Sequence, residues 1–231
     1  MILEEEFSLK GKLIVIESGS DSSGKATQTK LLFDKLKDFD FNCMKVEYPN
    51  YDSNSSALVK MYLNGEFGEN PNDVDPYTSS TFFAVDRYAS FKKEWESFYV
   101  NRGLVLADRY TTSNMVHQGS KYDNLDEKNL FLNWLWDLEF NKMKLPIPDL
   151  VIFLDVPIEF SFKLLEERKA KSKVEDIHEK NLDYLKITYD NSKYIAKKYN
   201  WHIINCVENN NLRSQEDISN EIFNYVIKYI K

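Results

Sequence analysis

Leu13-Ile14-Val15-Ile16-Glu17-Ser18-Gly19-Ser20-Asp21-Ser22-Ser23-Gly24-Lys25-Ala26-Thr27 is the stretch that decides the fold. An apolar run leads into a loop of small residues. A helix-like stretch from Lys25 to Leu36 follows, with a lysine at the turn. Such a loop can wrap its backbone N–H groups around a phosphate chain, and the helix N-terminus adds partial positive charge. Lys25 can then reach the terminal oxygens of a nucleotide. The spacing is Gly-x4-Gly-Lys, but Ala26 stands where Ser or Thr commonly follows the lysine, and Thr27 comes next. Strand before and helix after turn a common pattern into a specific one.

The 231 residues suffice for one large α/β domain over 1–231 with a sizeable core. Hydrophobic residues make up 42% and charged residues 29%, which reads as soluble and globular. A net charge of −7 disfavours non-specific nucleic-acid or membrane-surface binding. Cys43 and Cys206 each adjoin an apolar run and read as small buried thiols, with no disulfide or metal framework. The acidic stretch from Met1 to Lys10 lacks the features of a signal peptide, and no apolar run is long enough to span a membrane. The cytoplasm is the expected location.

Strands are expected at Leu13–Glu17, Asn42–Tyr48, Leu104–Asp108, Leu150–Asp155 and His202–Cys206, with amphipathic helices between them. Short buried strands alternating with helices argue for a parallel sheet covered on both faces. A helix from Pro76 to Tyr99 places Tyr88, Phe91, Trp95 and Phe98 on a core stripe. One from Glu127 to Lys142 does the same with Leu130, Trp134 and Leu138. The last, from about Glu216 to Ile230, carries Ile218, Ile222, Tyr225 and Tyr229, with Ser214 and Asp217 as a weak capping box.

Beyond the loop, Asp108-Arg109-Tyr110 ends the third expected strand, where open parallel sheets bind ligands. Asp108 is expected near magnesium or the phosphates. Arg109 can clamp a second phosphoryl group through its planar guanidinium. Phe83 and Arg87 share a helix face and could stack on a base and hold its acceptor edge. Arg168-Lys169-Ala170-Lys171-Ser172-Lys173 is a basic segment in an acidic chain, able to close over a triphosphate. Gln118 has a donor and an acceptor for a base edge. His117, His178 and His202 do not cluster with metal-ligand spacing, so no zinc site is expected.

These motifs together resemble thymidylate kinase, from about Lys12 to the final helix. Asp21 within the loop, followed by Gly24-Lys25-Ala26-Thr27-Gln28, is similar to that family's first signature. Asp108 to Ser113, continuing to Gln118-Gly119, is similar to its second and most specific one. Phe83 to Arg87, Tyr48-Pro49, and Leu154 to Pro157 with Glu159 and Arg168 also resemble family segments. The resemblance implies a P-loop NTPase-type three-layer αβα fold with a five-stranded parallel sheet and a mobile lid near 168–178. It implies transfer of a phosphoryl group from ATP to dTMP, with Mg²⁺, in dTTP biosynthesis, by a homodimer. It puts Gly19 and the loop from Ser22 and Ser23 through Gly24, Lys25, Ala26 and Thr27 on ATP. Asp21 would face the acceptor 3′-hydroxyl, and Asp108 would serve the metal. Arg109 would bind the acceptor phosphate and Phe83 would stack on thymine. Arg87, Ser113 and Gln118 would contact the base, and Arg168 with neighbouring lysines would form the lid. Ala26, Tyr51 (where many members place arginine), Ser18 (for a common glutamate) and His117 (for a common tyrosine) depart from the pattern. The alternatives are a catalytically weak nucleotide-binding paralogue and a related deoxynucleoside kinase, for which Glu17 is a nearby candidate base.

Overall fold

The computed structural model describes residues 10–20, 22–169, 177–178 and 182–230. Five parallel strands form the central sheet: β1 Lys12–Ser18, β2 Cys43–Glu47, β3 Leu104–Asp108, β4 Leu150–Asp155 and β5 His202–Asn205. Their order is β2-β3-β1-β4-β5. β1 is therefore central, pairing with β3 through Lys12–Leu104 to Ile16–Asp108 and with β4 through Ile14–Leu150 to Ser18–Leu154. The order reverses at β1, so the strand that delivers the phosphate loop ends beside the strand that delivers Asp108. This is the crevice in which open α/β sheets hold ligands.

Side chains alternate across the sheet. Leu13, Val15, Val105, Ala107, Val151 and Phe153 point into one layer, packed with Trp95, Phe131, Leu135 and Ile195. Ile14, Ile16, Leu104, Leu106, Ile152 and Leu154 point into the other, against Leu32, Leu36, Ile218 and Ile222. The expected three-layer arrangement follows. Helix α1, Lys25–Asp38, covers the second face together with the final helix. A short helix α2, Ala57–Leu63, follows β2. Its Val59, Tyr62 and Leu63 form a third apolar cluster with Val74, Ile177, Phe82 and Phe83. Both cysteines are buried and free as expected, and burial raises their thiols, Cys206 to about 12.

Three helices differ from expectation. The stretch from Pro76 is α3, Pro76–Ser90, then a π-helical turn, Phe91–Trp95, then α4, Glu96–Val100. Phe91 and Trp95 are buried, but Tyr88 is 40% exposed. The inward line of α3 is Ser80, Ala84 and Arg87, because a buried partner draws Arg87 into the core ahead of the more apolar Tyr88. α5 is Thr111–His117 and α6 is Leu125–Trp136, the latter continued by a second π-helical turn, Asp137–Lys142. Phe131, Leu132, Leu135 and Glu139 face inward there, and Leu130 is 65% exposed instead of lining a core stripe. α7 is Ile158–Lys169 and α8 is Leu182–Lys198. The final helix α9, Gln215–Ile230, buries Ile218, Ile222 and Val226, while Tyr229 sits at the edge with its hydroxyl donating to the Asp149 carbonyl at 2.5 Å. Its N-terminus is capped by the Ser214 hydroxyl, 3.1 Å from the Asp217 N–H. A small hairpin, β6 Val207–Glu208 with β7 Asn211–Leu212, follows β5. Asn209 and Asn210 turn it with φ of 50° and 59°.

Candidate active site

The loop between β1 and α1 is built as a cradle. Ser22 and Gly24 take left-handed conformations, with φ of 58° and 87°, and such residues turn successive N–H groups toward one concavity. Gly24 is open on the side a Cβ would occupy, so its requirement is conformational. Gly19 is different: an added Cβ would lie 2.2 Å from Ser192 Oγ on α8. It is required for packing, and it does not line the cavity beside the loop. Lys25 folds back, donating from Nζ to Ser18 Oγ and to the Ser20 carbonyl, both at 2.7 Å. Ser18 and Ser23 hydroxyls meet at 2.5 Å beneath it. The Ser22 hydroxyl is buried with no hydrogen-bond partner among the described residues, and it lines a cavity of about 530 Å³ with Ser23, Gly24, Lys25, Ala26 and Thr27. An unsatisfied buried donor beside a cradle of N–H groups suits an anionic ligand.

Asp108 ends β3 next to this loop. Arg109 follows in the left-handed region, with φ of 66° and its N–H donating to the Ile16 carbonyl at 3.1 Å. A non-glycine residue there costs about 1–3 kcal/mol and is held by its surroundings. Burial raises the Asp108 carboxyl above the usual range. Arg109 and Lys25 pull it down, while Glu17 and Glu47 push it up. Glu17 itself is buried and accepts from the Ser18 N–H at 2.9 Å, Thr112 Oγ1 at 2.8 Å and Ser113 Oγ at 2.6 Å.

A second cavity, of about 310 Å³, opens on the far side of Asp108 and Arg109. Its walls include Tyr48, Pro49, Tyr51, Phe83, Arg87, Ser113 and Gln118. The two cavities share Ala26, Asp108, Arg109 and Arg168. Phe83 stands edge-on to Tyr62, ring centres 6.1 Å apart. Gln118 Oε1 accepts from Ser79 Oγ at 2.8 Å. Arg87 Nε and Nη2 donate to the two Glu139 oxygens at 2.7 and 2.6 Å, and Thr111 Oγ1 donates to the same carboxylate at 2.6 Å. Burial works against the Arg87 charge, but Glu139 more than offsets it and raises the guanidinium's affinity for its proton. Asp86 holds the loop after β2, accepting from the Asn50 N–H at 2.8 Å and Ser55 Oγ at 2.6 Å.

A family model for thymidylate kinase matches residues 16–218. The chain belongs to the thymidylate kinase family. A thymidylate kinase of Plasmodium falciparum is 28% identical over 95% of this chain and 91% of its own length. A probable thymidylate kinase of Methanocaldococcus jannaschii is 29% identical over 93% and 95%. The solved structure of a Candida albicans thymidylate kinase superposes with a TM-score of 0.69 at 20% identity, covering 95% of this chain and 92% of that one, which shows the same fold.

Most residues expected from the thymidylate kinase resemblance converge. Ser22 to Thr27 line the first cavity, Phe83, Arg87, Ser113 and Gln118 the second, and Asp108, Arg109 and Arg168 their junction. Asp21, Lys171 and Lys173 lie outside the described residues, as does most of the expected lid at 168–178. Two of the histidines meet in the fold although their sequence spacing does not bring them together. His117 and His178, far apart in sequence, stack with ring centres 5.4 Å apart and 9° between planes, and both line the second cavity. His178 Nε2 lies 3.1 Å from the Tyr62 hydroxyl. No group of three or more metal-ligating His, Cys, Asp or Glu residues occurs among the described residues, and the pair forms part of the cavity wall. Sequence reasoning also missed Tyr62, Leu63 and Glu139. No local motif marks them, since their positions depend on how α2 and the second π-helical turn fold against α3. A magnesium site made with phosphate oxygens needs only one or two protein carboxylates. Asp108, buried at the junction with no hydrogen bond to its carboxylate among the described residues and with Glu17 and Glu47 near it, fits that requirement.

Proposed function

We propose that this chain transfers the terminal phosphoryl group of ATP to dTMP, giving ADP and dTDP for dTTP synthesis. The chain is an enzyme of the dTMP kinase class. The observation that carries the reading is the shared wall of Ala26, Asp108, Arg109 and Arg168 between a phosphate cradle and an aromatic pocket. Two nucleotides placed end to end would bring their phosphates to that wall.

In this reading Lys25 and the N–H groups from Ser22 to Thr27 hold the ATP phosphates. Arg109 holds the acceptor phosphate, Phe83 stacks on thymine, and Arg87, Ser113 and Gln118 meet its edges. Arg168, with the lysines after it, closes the donor side as a lid. Asp21 would face the sugar hydroxyl. Mg²⁺, held by Asp108 directly or through water, would neutralise phosphate charge. The acceptor oxygen is already ionised, so no general base and no covalent enzyme intermediate are required. The protein's residues align the reactants and offset charge on the moving group. The deoxynucleoside kinase alternative is weaker, because Glu17 is already occupied by three donors. We also propose one domain over 1–231, a homodimeric state and a cytoplasmic location. Family resemblance supports all three. No helix among the described residues is long and apolar enough to cross a membrane.

The test is a coupled ADP-release assay with ATP, magnesium and a panel of monophosphates. Turnover highest with dTMP supports the proposal. A clean preference for dCMP or AMP, or nucleotide binding by calorimetry without ADP release, overturns it.

A further inference from the structure

Arg87, in the wall of the second cavity, is paired with a buried carboxylate that no motif announces. Arg87 is 1% exposed and Glu139 0%. The contact is a two-point fork, Nε to Oε2 at 2.7 Å and Nη2 to Oε1 at 2.6 Å. Glu139 stands on the π-helical turn Asp137–Lys142. Such turns are frequent at functional sites. Its third donor, Thr111, opens α5, the helix that also carries Ser113 into the same cavity. Of the Arg87 nitrogens, Nη1 is the one the carboxylate does not hold. It lies 3.5 Å from the Tyr110 carbonyl.

An arginine alone at the floor of a pocket attracts phosphate. An arginine whose charge is cancelled by a buried carboxylate still donates hydrogen bonds, but to a neutral acceptor. The junction end of this cavity carries Arg109 and Arg168. One end of the cavity thus has two arginines able to take an anion, beside Asp108 and Glu47, and the other has a donor whose charge is already cancelled. We propose that Glu139 is a positioning residue that sets the polarity of acceptor binding: by neutralising Arg87 it reserves the inner end for the uncharged carbonyl edge of a base and leaves the phosphate to the junction. This deepens the dTMP reading above and rests on it.

The experiment compares wild type, Glu139→Gln and the neutral double variant R87Q/E139Q. Each is tested for dTMP binding by calorimetry, for the KM of ATP, and for inhibition by inorganic phosphate. Glu139→Gln keeps the shape but uncovers the Arg87 charge. It should weaken dTMP binding about tenfold or more, equivalent to about 1.4 kcal/mol. It should leave the KM of ATP within about twofold and strengthen phosphate inhibition severalfold, since a uncompensated buried cation seeks an anion. In the double variant dTMP stays weak while phosphate inhibition returns to the wild-type level. A folded Glu139→Gln protein with wild-type affinity for dTMP and phosphate overturns the proposal. If that variant does not fold, a double variant that binds dTMP like wild type overturns it instead. Wild-type protein that binds dTMP but does not phosphorylate it would overturn the activity reading and leave this comparison valid.

Discussion

Replacing Lys25 with alanine separates catalysis from folding. The Lys25 ammonium donates to Ser18 Oγ and the Ser20 carbonyl, each at 2.7 Å. The Ser20 carbonyl also accepts from Ser18 Oγ at 2.8 Å and Ser23 Oγ at 3.0 Å. It therefore remains satisfied when the lysine is gone, and the cost to folding is about 1 kcal/mol. The cost to the reaction is larger. A unit charge about 4 Å from the moving phosphoryl group, in a site with an effective dielectric constant near 20, contributes about 4 kcal/mol. At about 1.4 kcal/mol per tenfold, turnover should fall about a thousandfold. Coupled ADP release measures the rate, and thermal denaturation measures the fold. A folded Lys25→Ala protein with turnover within about tenfold of wild type would refute the placement of the ATP phosphates on this loop.

Phe83→Ala should raise the KM for dTMP about tenfold or more, from the loss of about 1–3 kcal/mol of stacking, with the KM for ATP little changed; steady-state kinetics with each substrate varied would decide it. Asp108→Asn should raise the melting temperature at pH 7 and reduce turnover. Burial holds the native carboxyl above its unfolded value, so the folded state retains the proton longer and stability falls as pH rises through that window. The gain should shrink as pH drops to the ordinary carboxylate range, which thermal melts across pH will show. The thymine methyl distinguishes dTMP from dUMP by only about 1–3 kcal/mol, so measurable dUMP turnover is expected. Gly19→Ala should destabilise the fold, because its Cβ would meet Ser192 Oγ at 2.2 Å; adding Ser192→Gly should restore much of the loss in a denaturation series.

The chain alone determined the five strands of the sheet, the phosphate loop and the Asp108-Arg109 turn, because those depend on neighbours in sequence; it did not determine the small β6–β7 hairpin. Leu104–Asp108 and Leu150–Asp155 appear with the expected ends, since continuous apolar runs have nowhere to go but a sheet buried on both sides. Helix faces were harder. Tyr88 and Leu130 read as core yet lie outside, because the burial of Arg87 with Glu139 sets which line of α3 and α6 turns inward. A charged pair is hydrophilic as two residues and becomes compatible with the core only once the partners meet. The stacking of His117 on His178, the edge of Tyr62 against Phe83, and the common wall of the two cavities belong to the same class. Each joins segments far apart in the chain, so only the packing of the layers could decide it.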